Sequence, residues 1–437
     1  MQRSKFRQVL AVLVCAFSHA AVGEDYWNYA YKDFDVTTVG SSDSAVSVAH
    51  NIARFDNALA RILELPEAHL RTHIYELPGA EKQQLLGDGH EASFRFSEYE
   101  VTVIAHSTAD SSSRYWGALF GYTGSLLVNG RARRCPYWYK IGVPLVFAST
   151  QFGVDQITTG RKNLTAARAL NRGTFIPMRT LLALQRDDPR LQVTQYREMF
   201  EAESWYLAHV ILLEKKFGPE FVRYLGSIRE GKSEADAFAA SFRIGYDELD
   251  KFLIQSMREP VRVYVVQVPQ EPPDHGTPRL LSAAEFKARL ADLNLQWQHR
   301  ADALRLAADA LQADPQNETA LSVIARANLR DGQFEAALAA VNKLATLSLP
   351  SAAMLTDTGD VLSQLARAVS KNQVSLAVDT DGLMHRAREA YERAMNLDAE
   401  YLRSLGGSGL SLRCTAGRGG GQGLGASGAA GDGEASL

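Results

Sequence analysis

Cysteine is scarce: the chain has three in 437 residues, at positions 15, 135 and 414. So few, so far apart, exclude a disulfide framework and leave Cys135 as a free thiol by default. Charge bias is missing too. The formal balance is -3 at pH 7, without the clustered basic face that a nucleic-acid-binding protein needs. Beyond the first few turns of sequence no apolar run approaches the ~20 residues of a spanning helix.

What is present begins with a leader. Met1 to Gly23 carries Arg3, Lys5 and Arg7, then the run VLAVLVCAF, then the small residues SHAAVG. That order is the pattern of a secretory signal peptide, cleaved after Ala20 or Gly23, and it predicts a periplasmic or secreted protein. Cys15 follows Val14, where a lipoprotein signal has a small residue, so lipid attachment is not expected. The remaining length suits two domains, each with its own core.

Residues 24–267 read as the first of them, an α+β unit. DYWNYAYKDF, from Asp25 to Phe34, is an aromatic strap expected to pack on its own domain, and DFDVTTV is a first strand. Val46, Ala49, Ile52, Ala53, Leu59 and Ile62 form a helical stripe between Ser41 and Leu63. THIYEL at 72–77, SFRF at 93–96 and YEVTVIAH at 99–106 are short strands. His69, His73 and His106 read as surface or structural histidines. His90-Glu91 lacks a second histidine, because Phe94 stands four residues on.

The stretch from Tyr115 to Thr150 reads as an apolar helix, a basic loop with Arg131, Arg133 and Arg134, and a second apolar helix. Gly117, Gly121 and Gly124 share one face of the first helix. Each costs roughly 0.5–1 kcal/mol relative to alanine, so that face serves either close packing, the favoured reading, or a ligand. Pro144 is expected to end or bend the second helix.

This helix pair, the strands before it and AESWYLAHVILLEKKFG within 196–217 together resemble the bacterial peptidase MA-like domain. That is a zincin-type, gluzincin-like fold often fused to tetratricopeptide repeats, and the resemblance spans roughly 35–257. In the family the first helix carries H-E-x-x-H and the second a glutamate. The resemblance puts Phe120 and Gly124 at the two histidines, Gly121 at the first glutamate, Ile141 at the third ligand and Leu145 at a later glutamate. Zinc needs nitrogen, sulfur or carboxylate donors, and its peptidase chemistry needs a general base. None of these positions supplies either, so the resemblance implies a pseudoenzyme without catalytic residues, metal or cofactor. His209 matches a histidine of the family pattern and reads as a packed, hydrogen-bonded residue.

VRVYVVQVP at 261–269 is a β-branched strand, and 268–285 is a Pro-rich linker. From 286 to 412 the composition turns to Ala and Leu at helical period. Ala303, Ala310 and Pro315, then Gly332, Phe334, Ala337 and Pro350, then Ala387, Tyr391 and Ala394 match tetratricopeptide units near their ~34-residue period. Residues 413–437 are Gly-rich and expected to be disordered.

The expected fold is a zincin-like α+β N-terminal domain followed by an all-α tetratricopeptide-type array. The expected function is an exported, non-catalytic scaffold or adaptor that binds a protein or peptide partner through the repeats. The alternative is a metal-dependent peptidase whose ligands lie outside the central helices.

Overall fold

The computed structural model describes residues 25–63, 71–87, 92–96, 100–106, 115–129, 135–268, 276–347, 350–398 and 435–436. The leader, the loop arginines 131, 133 and 134, His69 and His90 lie outside them. So does the Gly-rich tail, apart from Ala435 and Ser436.

β1 (Tyr26–Tyr31) and β2 (Phe34–Val39) make an antiparallel hairpin, α1 (Ser42–Leu63) crosses over, and β3 (Arg71–Leu77) returns parallel to β2. After α2 (Gly79–Leu86), β4 (Ala92–Phe96) runs antiparallel to β5 (Glu100–His106), which lies parallel to β3. The first strand begins earlier than its sequence suggests, because the aromatic strap is itself β1. Its residues do not alternate cleanly between buried and exposed, so period-2 reading misses it.

Both sheet faces are covered, as strict alternation requires. Val36, Ile74, Val101 and Val103 face a large core with α1 and α3 (Trp116–Asn129). Tyr75, Leu77 and Ile104 face the opposite way.

α4 (Tyr137–Phe147) runs on through Pro144 instead of ending there. The lost hydrogen bond is outweighed by burial of Trp138, Ile141, Val143, Val146 and Phe147 against the domain core. β6 (Gln151–Phe152) and β7 (Gln156–Thr159) precede α5 (Leu164–Arg172), α6 (Met178–Ala183) and α7 (Thr194–Leu212). α7 stops short of Phe217 because Lys215 and Phe217 turn left-handed. α8 (Gly218–Arg229), α9 (Glu234–Ser241) and α10 (Tyr246–Ser256) follow, and β8 (Tyr264–Gln267) completes a small sheet in the order β6-β7-β8.

β9 (Arg279–Leu280) pairs with β1, so the chain leaves the linker region attached to the large sheet. The C-terminal region is three stacked helical hairpins: α11 (Ala283–Gln296) with α12 (Arg300–Ala313), α13 (Glu318–Arg330) with α14 (Phe334–Ala345), and α15 (Ala352–Ser370) with α16 (Thr380–Leu397). Ser282, Asn317, Ser351 and Asp379 cap the N-termini of α11, α13, α15 and α16 through their side chains. Ala288, Ala291, Ala303, Ala307 and Ala310 let α11 and α12 approach closely. β10 (Ala435–Ser436) lies beside β4. The protein is therefore α+β, with an N-terminal mixed sheet and a C-terminal helical region. Among the described residues no helix is long and apolar enough to cross a membrane.

The two regions meet across the second sheet face. Phe286 and Leu293 of α11 and Trp297 just past its end pack on Tyr75, Leu77 and Ile104, and Tyr26 stacks on Phe286 at 3.4 Å. Beside this apolar contact runs a chain of charges. His73 on β3 sits between Asp35 on β2, at 3.2 Å, and Glu100 on β5, at 3.3 Å. Burial opposes its charge, but Glu100 and Asp35 raise its pKa to about 10. Arg289 of α11 lies 3.5 Å from Asp35 and donates to Thr37 Oγ1 at 3.0 Å. Burial would raise the Asp35 carboxyl, but Arg289 and His73 hold it far below its ordinary value. Arg326 of α13 then bridges Asp292 of α11 and Asp357 of α15, the latter at 3.3 Å.

Candidate functional site

Of the five positions that the family resemblance singled out, Phe120, Gly121 and Gly124 lie on α3, and Ile141 and Leu145 on α4. Phe120 is buried and stacked on Trp116 at 5.1 Å between ring centroids. A side chain at Gly121 would meet Val103 Cγ1 at 2.6 Å, and one at Gly124 would meet Phe94 Cε1 at 2.6 Å. These two glycines therefore bring α3 close to β5 and β4. Ile141 is buried on α4. Among the described residues no group of three or more His, Cys, Asp or Glu side chains is placed to hold a metal ion.

The third glycine behaves differently. Gly117 lies on the wall of an open cleft of about 1130 Å³, together with Trp116 from the first turn of α3 and Leu145 from α4. The opposite walls come from α5 and α7. α5 starts where Asn163 Oδ1 accepts the Ala166 N–H at 3.0 Å, and it carries the exposed Arg168 and Arg172. α7 supplies Tyr196, Met199, Glu198 and Glu201. Burial raises the Glu201 carboxyl above its ordinary value, against the attraction of Arg197 at 4.0 Å. The cleft thus offers aromatic and apolar surface between two guanidiniums and two carboxylates, the make-up of a binding groove.

The neighbouring buried groups are structural. His209 is fully buried, its Nε2 3.1 Å from the Gly160 carbonyl and 2.8 Å from that of Arg262, while Nδ1 lies 3.6 Å from Glu214. It joins α7 to β7 and to the approach to β8. His69 and His73 are four residues apart in sequence. His73 lies in a strand, where that spacing does not form a helical ligand pair, and it is committed to Asp35 and Glu100. Cys135 is buried, and burial pushes its thiol pKa up, which makes it a poor nucleophile.

Glu203 is the strongest perturbed acid near the cleft. It is 1% exposed, accepts the Ile176 N–H at 2.7 Å, and has its pKa raised by burial, and further by Asp250, to about 8. A carboxyl whose folded pKa lies above its unfolded value holds its proton better when folded, so stability falls as pH rises from about 4.5 to about 8. Glu203→Gln keeps an oxygen for Ile176 and removes the ionisation. We expect the variant to exceed the natural protein in stability at pH 8 by about 2 kcal/mol, near 5 °C in melting temperature. The difference should vanish below about pH 4. Thermal melts of both proteins across that range measure it.

Trp116, Tyr196 and the α5 arginines were not singled out by the sequence reading, although Trp116 lies within the segment it was built on. No protein-family model, curated protein or solved structure matches this chain.

Proposed function

We propose that the protein is a non-catalytic binding module that holds an extended segment of a polypeptide partner in the cleft between α3, α4, α5 and α7. The observation that carries this reading is the cleft itself, open and mixed apolar and charged, with Leu145, one of the five positions without a donor side chain, in its wall. In this reading the N-terminal region is a peptidase MA-like domain whose chemistry has been replaced by packing. The helical hairpins are a tetratricopeptide-type scaffold, and the protein acts after export.

The charge chain supports moving the binding role from the array to the cleft. Asp292, Arg326 and Asp357 lie on the first helix of each hairpin, and His73 and Glu100 of the sheet act on that set electrostatically. That side of the array is therefore engaged with its own sheet.

The test uses fluorescein-labelled, denatured casein. The natural protein should bind it saturably and leave it intact over hours. Arg168→Glu with Arg172→Glu, both exposed, and separately Trp116→Ala should each weaken binding at least tenfold, about 1.4 kcal/mol. Unchanged binding in both variants contradicts the cleft assignment, and metal-dependent cleavage of the casein establishes the peptidase alternative.

A further inference from the structure

The small sheet ends in an edge with an unusual asymmetry. β8 is its outer strand, and Val268 N–H donates to the Asp155 carbonyl at 3.0 Å. In the register that pairs Gln156 with Gln267 and Thr158 with Val265, this bond fixes which residues face β7. Tyr264, Val266 and Val268 do; Val263, Val265 and Gln267 turn their backbone N–H and C=O outward.

The inner side is satisfied even past the ladder, where His209 Nε2 meets the Arg262 carbonyl. On the outer side Arg61 reaches the Gln267 carbonyl at 3.3 Å. Among the described residues the N–H and C=O groups of Val263 and Val265 have no partner.

This edge is anchored and apolar. Arg54 ties the Val268 carbonyl to those of Gly153 and Val154, at 3.0, 2.8 and 2.9 Å, and Val266 and Val268 pack on Ala58 and Ile157. Val263, Tyr264 and Val265 are 51%, 38% and 46% exposed. Proteins usually blunt such edges with lysine, proline or a bulge, and VRVYVVQV at 261–268 has no lysine, proline or glycine.

We propose that the β8 edge is a docking site for an extended strand of a partner polypeptide, which adds to the sheet through the outward groups of Val263 and Val265. This site is independent of the cleft and does not rest on its assignment. The recognised segment is rich in β-branched residues with acidic flanks, because Arg262 stands at one end of the edge and Arg61 at the other. A second copy of this chain is a poor occupant. Antiparallel self-pairing centred on Val265 would set Arg262 of one copy near Arg61 of the other. So short an edge also falls below the ~1,200 Å² of a standard interface.

The probe is an acetylated, amidated heptapeptide of alternating valine and threonine with a glutamate at each end, titrated against the full chain. Saturable binding is expected, with amide exchange at 263 and 265 slowed at least tenfold. Val265→Pro removes an outward N–H and leaves the β7-facing groups in place, so it should weaken binding at least tenfold. Val265→Thr, which keeps the backbone edge, should bind within threefold of the natural protein and guards against simple misfolding. Absence of saturable binding overturns the proposal, as does binding unchanged by Val265→Pro. Concentration-dependent self-association that protects the same amides without peptide also overturns it, in favour of a second copy.

Discussion

Gly142→Ala should destabilise the N-terminal region by about 3 kcal/mol or more, at the upper end of what an added core methyl costs. α4 crosses α7 at this residue. A Cβ there would lie 2.1 Å from the Ser204 carbonyl oxygen, 2.6 Å from its carbon and 3.1 Å from Ala208 Cβ. Backbone inside a buried helix cannot step aside as a side-chain tip can, so the two helices must separate. That movement would disturb Trp138, Trp205 and Phe147, all fully buried nearby. Gly226 is the matched control. It lies inside α8 with nothing within 4 Å of its added Cβ, so alanine there should stabilise by up to ~1 kcal/mol. Urea melts of both variants decide the matter, and a Gly142→Ala loss under about 1 kcal/mol would mean that α4 and α7 are not so closely apposed.

Arg326→Met is the second large expected effect, a loss of about 2–4 kcal/mol. The guanidinium binds Asp292 through Nη2 and Asp357 through Nε, and the Ser322 hydroxyl lies 3.1 Å from Nε. The three ionic side chains are 21–28% exposed, enough burial to make an abandoned carboxylate expensive. Asp357 is already raised by burial even with Arg326 in place, whereas Arg326 helps hold Asp292 below its ordinary value, and both carboxyls should rise without it. Such groups bind protons more tightly folded than unfolded, so the deficit of the variant should shrink as pH is lowered towards 4. Adding Asp292→Asn and Asp357→Asn should recover most of the loss at neutral pH. A neutral-pH loss under about 0.5 kcal/mol would place this bridge among ordinary surface ion pairs.

These residues also show where sequence reading works and where it stops. α1, β3 and β5 were legible because their apolar residues recur at the period of one element with one or two covered faces. β1 was not legible, since YWNYAY owes its strand form to pairing with β2 and β9 on either side. Pro144 was expected to end or bend α4, and the helix does not end there, because its flanking residues are buried. His73 looked like a lone histidine because Asp35 and Glu100 lie on other strands, and only the parallel register joins them. Asp292 and Arg326 carried a usable hint, being 34 residues apart, the period of the expected repeats.

The site was half legible. Gly121 and Gly124 could be placed on one helix face from their spacing. What they touch, Val103 and Phe94, depends on the sheet. The cleft could not be foreseen, because its walls come from four helices with no common motif.

We propose that apolar side chains stand on α3 and α4 where a peptidase MA-like domain would hold its metal. Zinc content of the purified protein, by elemental analysis after dialysis against trace zinc, tests it most directly. The expected result is well below one zinc per chain, unchanged by Phe120→Ala. One zinc retained per chain would contradict the claim and turn attention to donors outside the central helices.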